Sequence, residues 1–289
     1  MKALLALPIL GLFCLFPGQA RSAESYDNCV GFIDSLPAVI TTQGTWCLRH
    51  DLSTGMASGM AINITKNNVT IDCNDFKIGG LSAGVGTQTI GINATDRSNL
   101  TIRNCGLRGF FYGINLDGEG SGHLVESNRI DGSTWVGIGV EGDGSVIRGN
   151  RVMDTGGTTL VANPAKAVAI FTQWDVEILG NLISGVYAAA GSNGYAIAIN
   201  PGNNLSGSVI DNNVKNVIGD GTGFAYGISF WGDAGQVSVD SNNLIGPGLG
   251  NSVGVWCPET NWVGLSDNIA AGFGSPMFDC AYDHGNIVR

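Results

Sequence analysis

Charge is scarce in this chain. Only 13% of its 289 residues are Asp, Glu, Lys or Arg, and 14 basic against 24 acidic residues leave a formal net charge of −10. Nucleic acid and anionic membrane surfaces are taken up through clustered cations that release counterions, and no basic stripe is present to do this. The acidity also makes a polyanion an awkward partner unless a cation bridges to it. Beyond Ala3 to Phe16 no long apolar run occurs, and that one is too short to span a membrane. No two of the seven cysteines stand in Cys-x-x-Cys spacing, which removes the usual zinc arrangement. His50, His123 and His284 lie far apart, and each reads as a turn residue rather than a base.

Glycine, at 45 residues, is abundant, and one phrase recurs among the glycines. An apolar pair, one or two polar residues and an asparagine appear at Asn74, Asn104, Asn128, Asn150, Asn181, Asn213, Asn242 and Asn268, with gaps of 22 to 32 residues. Such gaps suit one coil of a solenoid carrying variable loops. Between these phrases lie segments that alternate at period two: AINIT from 61, GINAT from 91, GINLD from 113, GIGVE from 137, AIAIN from 196 and GISFW from 227. Period two means strands with one face in and one out. No helical period separates them to form a crossover, so the strands stack on their counterparts in a single-stranded parallel β-helix of about eight to nine rungs. Asparagine suits the corners, since it tolerates a left-handed backbone and its amide can bond its counterparts in neighbouring coils.

These repeats give the chain its resemblance, over residues 36 to 289, to the right-handed parallel β-helix proteins of the pectate-lyase-like superfamily, and within them to secreted bacterial members with NosD-type repeats. That resemblance implies an all-β, right-handed solenoid. It does not choose an activity, because the superfamily includes lyases, polygalacturonases, epimerases, tailspikes and adhesins. The Gly-His-Gly motif of polygalacturonases and the Asp-Pro-His signature of mannuronan epimerases are both absent.

The N-terminus reads as a secretory signal peptide over residues 1–20: Lys2, the apolar run, Pro17-Gly18 and a small residue at Ala20. The β-helix domain then covers 21–289 without a linker, opening on a cap at about 24–50, and the protein is expected to be secreted or periplasmic. Discarding Cys14 with the signal leaves six cysteines. An even number in an oxidising compartment implies disulfides. The repeat register pairs Cys29 with Cys47, Cys73 with Cys105, and Cys257 with Cys280, which staples both ends of the solenoid.

Three constellations are candidates for chemistry. The string acid-Gly-acid-Gly occurs twice, at Asp117 with Glu119 and at Glu141 with Asp143, after strands of consecutive coils. Four flexible oxygen donors suit Ca²⁺. Adjacent coils would also place two carboxyls about 5 Å apart, as in retaining glycosidases, and two solvated turns of common origin would look the same. A second row carries Asp72, Glu126, Arg148, Asp211 and Asp240, with Arg103 one place out of register. Arg103, Glu126 and Arg148 are the candidate catalytic set of a lyase, and cross-strand ion pairing accounts for the alternation equally well. The third is aromatic: Tyr195, Tyr226 and Trp231, the last near Asp233, offer stacking surfaces for sugars, or form a corner stack. The outward positions beside them read as small: Asn63, Asn93, Asn115, Gly139, Ala169, Ala198, Ser229 and Gly254. A shallow groove along a solenoid suits a linear carbohydrate polymer. The expected function is therefore a secreted binding or surface module for such a polymer, the alternative being a polysaccharide lyase or hydrolase assisted by Ca²⁺.

Overall fold

The alternating segments become strands, and the Gly, Asn and Asp between them become the corners of a coil. The computed structural model describes residues 26–202, 206–231, 235–257, 262–280 and 282–289. The signal peptide, Cys14, the first two residues of the cap and Asp233 lie outside these. Each coil contributes one strand to each of three parallel sheets. Tyr112–Asp117 lies in sheet 1, Leu124–Glu126 in sheet 2 and Arg129–Asp131 in sheet 3, before Val136–Glu141 returns to sheet 1. Sheet 1 has ten strands, from Ala38–Ile40 to Ser275–Phe278; sheet 2 has eleven, from Cys29–Phe32 to Tyr282–His284; sheet 3 has ten, from Leu52–Ser53 to Ile287–Val288. The stretch read as a cap thus supplies strands to sheets 1 and 2, and sheet 3 begins just after it at Leu52–Ser53. Among the described residues the only helical element is a single 3₁₀ turn, Leu81–Ala83, and no helix is long and apolar enough to cross a membrane.

Apolar side chains stack in columns along the interior. Ile114, Ile138, Ile170, Ile199 and Ile228 form one column in sheet 1, and Leu107, Ile130, Val152, Ile183 and Val214 form one in sheet 3, all buried. Each such side chain contributes about 1.5 to 3 kcal/mol by leaving water.

The corner between sheets 2 and 3 carries the asparagine column. Asn128, Asn150, Asn181, Asn212, Asn242 and Asn268 are buried there, and each sends its backbone N–H and its Nδ2 to the Oδ1 of the next, at 2.9 to 3.0 Å. Asn268 makes the same pair of bonds to Asn286 at 2.8 Å. The left-handed residue is the one before the asparagine: Ser127, Gly149, Gly180, Asp211, Ser241 and Asp267 have φ between 51° and 62°. This corrects the expected corner residues in three places. Asn212, not Asn213, belongs to the column. Asn104 takes the left-handed place (φ 53°), and Cys105 takes the column place, its N–H donating to Asn128 Oδ1 at 3.0 Å. Asn74, also left-handed (φ 48°), lies in a longer turn two residues ahead of its coil's register. The column therefore begins where the Cys73–Cys105 disulfide ends. The other two bridges are Cys29–Cys47 and Cys257–Cys280, as the repeat register requires. Three disulfides are the chemistry of an oxidising, extracytoplasmic compartment.

Candidate functional site on the outer face of sheet 1

Strands of sheet 1 bend after their first outward residue. In Tyr112–Asp117 the chain runs Tyr112 outward, Gly113 and Ile114 inward, Asn115 outward. A Cβ at Gly113 would stand 2.7 Å from Ile130 Cγ2 in the core and 2.6 Å from the next coil's carbonyl, so that place admits almost nothing. Ala169 and Ala198 occupy it in later coils, with Gly254 in register, and both alanines are fully buried. They are therefore not part of the outward row. The row actually runs Asn63, Asn93, Asn115, Gly139, Phe171 and Asn200, and farther along Trp256 follows Ser229. It is an amide strip that turns aromatic, not a uniformly small floor.

A second outward row holds Tyr112, Val136, Val168, Ile197 and Tyr226. Val136, Val168 and Ile197 are buried although they lie outside the solenoid, because Tyr112, Trp135, Phe171, Tyr195, Tyr226 and Trp231 pack over them. Tyr112 and Trp135 meet edge to face at 5.2 Å, Tyr195 and Tyr226 at 5.8 Å, and Tyr195 and Trp231 at 6.2 Å. Trp135 is pinned by its Nε1–H to the Ala165 carbonyl at 3.0 Å. The expected trio Tyr195, Tyr226 and Trp231 is thus brought together, half-buried. The two tyrosines are not equivalent, since Tyr226 is in register with Ile197, two places beyond Tyr195. Burial lifts the Tyr226 hydroxyl to about 12, with Tyr195 adding to the shift.

Between the two rows lies a notch one side chain wide. Gly139 is its floor, and a Cβ there would stand 3.3 Å from Asn115 Oδ1 and 3.4 Å from Tyr112 Cε1. Asn115 closes a short amide chain: Asn93 Nδ2 donates to Asn63 Oδ1 at 3.3 Å, and Asn115 Nδ2 donates to Asn93 Oδ1 at 3.1 Å. At Gly139 the chain stops, leaving Asn115 Oδ1 facing the notch. Two acids sit at its edge on adjacent strands, Asp117 and Glu141. Asp117 Oδ2 accepts from Asn115 Nδ2 at 3.1 Å, while its Oδ1 is buried with no partner among the described residues. Burial raises the Glu141 carboxyl above its usual range and Asp117 raises it further, against the Gly118 N–H that donates to it at 3.1 Å. Tyr112 is pushed up to about 12 by burial and by both carboxylates.

Glu119 and Asp143 lie elsewhere, around a small cleft with Gly120 and Trp174. The four acids split two and two, and among the described residues no group of three or more His, Cys, Asp or Glu side chains is placed to hold a metal ion. Two carboxylates supply fewer than the six to eight oxygens that Ca²⁺ takes.

The row of Arg103, Glu126 and Arg148 lies on sheet 2, a different face. Arg103 is in register with Asp72 and Glu126, because Cys105 rather than Asn104 sets the coil, and Ile210 rather than Asp211 continues the row. Arg103 Nε meets Asp72 Oδ2 at 2.7 Å, and Arg148 Nη2 meets Glu126 Oε2 at 2.7 Å. Each arginine is held by a carboxylate of the preceding coil, in cross-strand ion pairs. Reading the sequence passed over Tyr112, Trp135 and Phe171. Tyr112 carried a visible signal, an aromatic directly before GINL, as Tyr226 stands directly before GISF.

A family model described as "right handed beta helix region" matches residues 56–244. No curated protein matches the chain. Among solved structures, the chain is similar to the Dettilon tailspike protein, at 17% identity and TM-score 0.44 over 86% of this chain and 60% of that one. It is also similar to the Agl-KA catalytic domain, at 11% identity and TM-score 0.40 over 92% of this chain and 59% of that one. The chain thus spans about three fifths of the length of either.

Proposed function

The chain belongs to the right-handed β-helix family, and on that premise we propose that it is a secreted module that binds a linear carbohydrate chain along the outer face of sheet 1, with the Gly139 notch as the central subsite. One observation carries this reading: the amide strip Asn63, Asn93, Asn115 ends on an acceptor with no partner among the described residues, two coils before Phe171 in the same row. Sugar rings present hydroxyls at their rims and apolar faces between them. An open amide acceptor beside Tyr112 and Phe171 matches both, and a face repeating every 4.8 Å suits a repeating ligand. Titration calorimetry of the mature protein against neutral and acidic oligosaccharides tests the idea. Asn115→Ala and Gly139→Val, the second filling the notch, should each weaken binding about tenfold, the scale of one or two lost hydrogen bonds, with melting temperature nearly unchanged. Absence of binding to every oligosaccharide, or wild-type affinity in both variants, would reject it.

A second reading rests on the carboxyl pair. Asp117 and Glu141 stand on adjacent strands, about 4.8 Å apart along the sheet, near the separation of a retaining glycosidase. The raised Glu141 carboxyl is the member suited to protonate a glycosidic oxygen, with Asp117 as the carboxylate partner. In that case the bound oligosaccharide yields new reducing ends, and Glu141→Gln abolishes them while leaving binding intact. Binding with no new ends leaves the module reading alone.

A further inference from the structure

Sheet 3 carries a cleft of about 360 Å³ on its outer face, on the coils where the asparagine column begins. Strand register puts Lys77, Gly106, Arg129 and Arg151 in one outward row along consecutive coils. Gly106 interrupts a row of long cationic side chains, and the interruption is the cleft. Lys77 and Arg129 stand on either side of it, two coil steps or about 10 Å apart. A Cβ at Gly106 would lie 3.2 Å from Lys77 Cγ, so the lysine stem forms one wall. The floor is stiff: Cys105, which also lines the cleft, is bridged to Cys73 and donates its N–H to Asn128.

The cations of this cleft differ from those of sheet 2. Among the described residues neither the Lys77 nor the Arg129 side chain makes an ion pair or a hydrogen bond, whereas Arg103 and Arg148 are each held by a carboxylate at 2.7 Å. Arg108, farther along the cleft, meets Asp131 at 3.5 Å, and Asp75 at the corner is the remaining acid of the lining. The Asp51 carboxylate accepts the Lys77 backbone N–H at 2.9 Å, yet among the described residues no carboxylate pairs with the ammonium of Lys77 or the guanidinium of Arg129, in a chain with 24 acidic against 14 basic residues. Two unneutralised cations flanking a gap favour a negative group between them. The arginine fork binds a planar or tetrahedral oxyanion through two parallel N–H donors, and the lysine adds a point charge. The cleft is several times larger than an isolated oxyanion and has the size of a small ligand pocket, so there is room for the ring that bears the anion.

We propose that this cleft binds an oxyanion substituent of a sugar chain, a carboxylate or a sulfate ester, between Lys77 and Arg129 over Gly106. The site is independent of the sheet 1 reading, which needs no charge on its ligand. The test is calorimetry at low salt with inorganic sulfate, an oligogalacturonate, a sulfated oligosaccharide and a neutral oligosaccharide. The double variant Lys77→Met with Arg129→Gln removes both charges, and Gly106→Leu fills the gap while keeping them. All three positions are on the surface, and unchanged melting temperatures verify folding. At least one acidic oligosaccharide should bind, and both variants should weaken it about tenfold or more, the scale of a lost charge-assisted pair. Arg148→Gln on sheet 2, which removes one charge elsewhere, should change affinity less than about twofold, and binding of the neutral oligosaccharide should be the same in all proteins. Which of the two acidic ligands binds identifies the substituent. The proposal falls if neither acidic oligosaccharide binds, if inorganic sulfate alone does, if Gly106→Leu binds as the unmodified protein does, or if Arg148→Gln weakens binding as much as the double variant.

Discussion

Two columns of asparagines run along this solenoid, and they differ in how they end. In the corner column, every Oδ1 from Asn150 to Asn286 accepts two bonds from the previous coil, and the first, on Asn128, accepts the Cys105 N–H. Each Nδ2 also donates to a carbonyl of the preceding coil, as Asn181 does to Ile147 at 3.0 Å. The column is buried and closed. On the outer face of sheet 1, Asn63, Asn93 and Asn115 stack at the same spacing but stop at Gly139, where an acceptor is left facing a notch. The same residue at the same repeat is structural when its column closes on itself and available to a ligand when the column is interrupted. Composition alone cannot separate the two.

The largest effect is expected where the closed column meets its covalent end. Replacing Cys73 and Cys105 by serine opens a loop of 32 residues in sequence separation, and the chain-entropy cost of that loop is about 4 kcal/mol. Urea unfolding measures it, and a loss below about 1 kcal/mol would show that the bridge contributes little to the coils it joins. Asn181→Ala comes next. It strands the Asn150 N–H and Nδ2 and removes bonds to Asn212 and Ile147, so a loss of about 3 kcal/mol is expected. An unchanged unfolding midpoint would mean the column is not closed as described.

A titration probes the interior by another route. His123 is buried, its Nδ1 accepting from the Leu100 N–H at 3.4 Å, and burial holds its pKa down at about 4 against an ordinary 6.5. The unfolded chain therefore binds this proton more readily than the folded one. Stability from a neutral His123 is full above pH 6.5 and is lost as pH falls toward 4, by up to about 3 kcal/mol. Unfolding free energies of the unmodified protein and of His123→Gln, compared at pH 7.5 and 4.5, isolate the contribution: the variant should lose less on acidification. The smallest effect on stability belongs to the open column. Asn115→Ala should cost about 1 kcal/mol, because it removes two side-chain bonds, to Asn93 Oδ1 and Asp117 Oδ2, and strands no backbone N–H, while oligosaccharide affinity falls. A stability loss equal to that of Asn181→Ala would erase the distinction between the columns.

The fold and the three disulfides were legible because repeats at fixed register leave few ways to pair. The phase within a repeat was harder. Two asparagines adjoin at 212 and 213, and only the backbone shows that the left-handed residue comes first, at Asp211, and the column residue second. The bend at Gly113 puts two successive residues inward, which breaks strict alternation and turned the buried Ala169 and Ala198 into apparent surface positions. The notch was half legible: Gly139 and Asn115 were read as outward, but a missing side chain acquires walls only when the coils on either side are in place. The ion pairing of Arg103 and Arg148 was open in the sequence for the same reason, since partner choice is a matter of register between coils.

In the corner column every side-chain oxygen from Asn128 to Asn286 accepts from the coil before it. The column has a polarity but no unique member, so one coil can hand its bonds to any other. Excision of residues 151–181, the 31-residue step between two column members, would take one strand from each sheet, bring Asn150 against Asn212 and leave all three disulfides in place. The shortened protein should fold cooperatively and measure one 4.8 Å step less along its axis by small-angle scattering. Length in this molecule is thus inherited in whole coils: a fractional insertion leaves an amide with no neighbour, and extra residues collect instead in the loops that the column does not pass through.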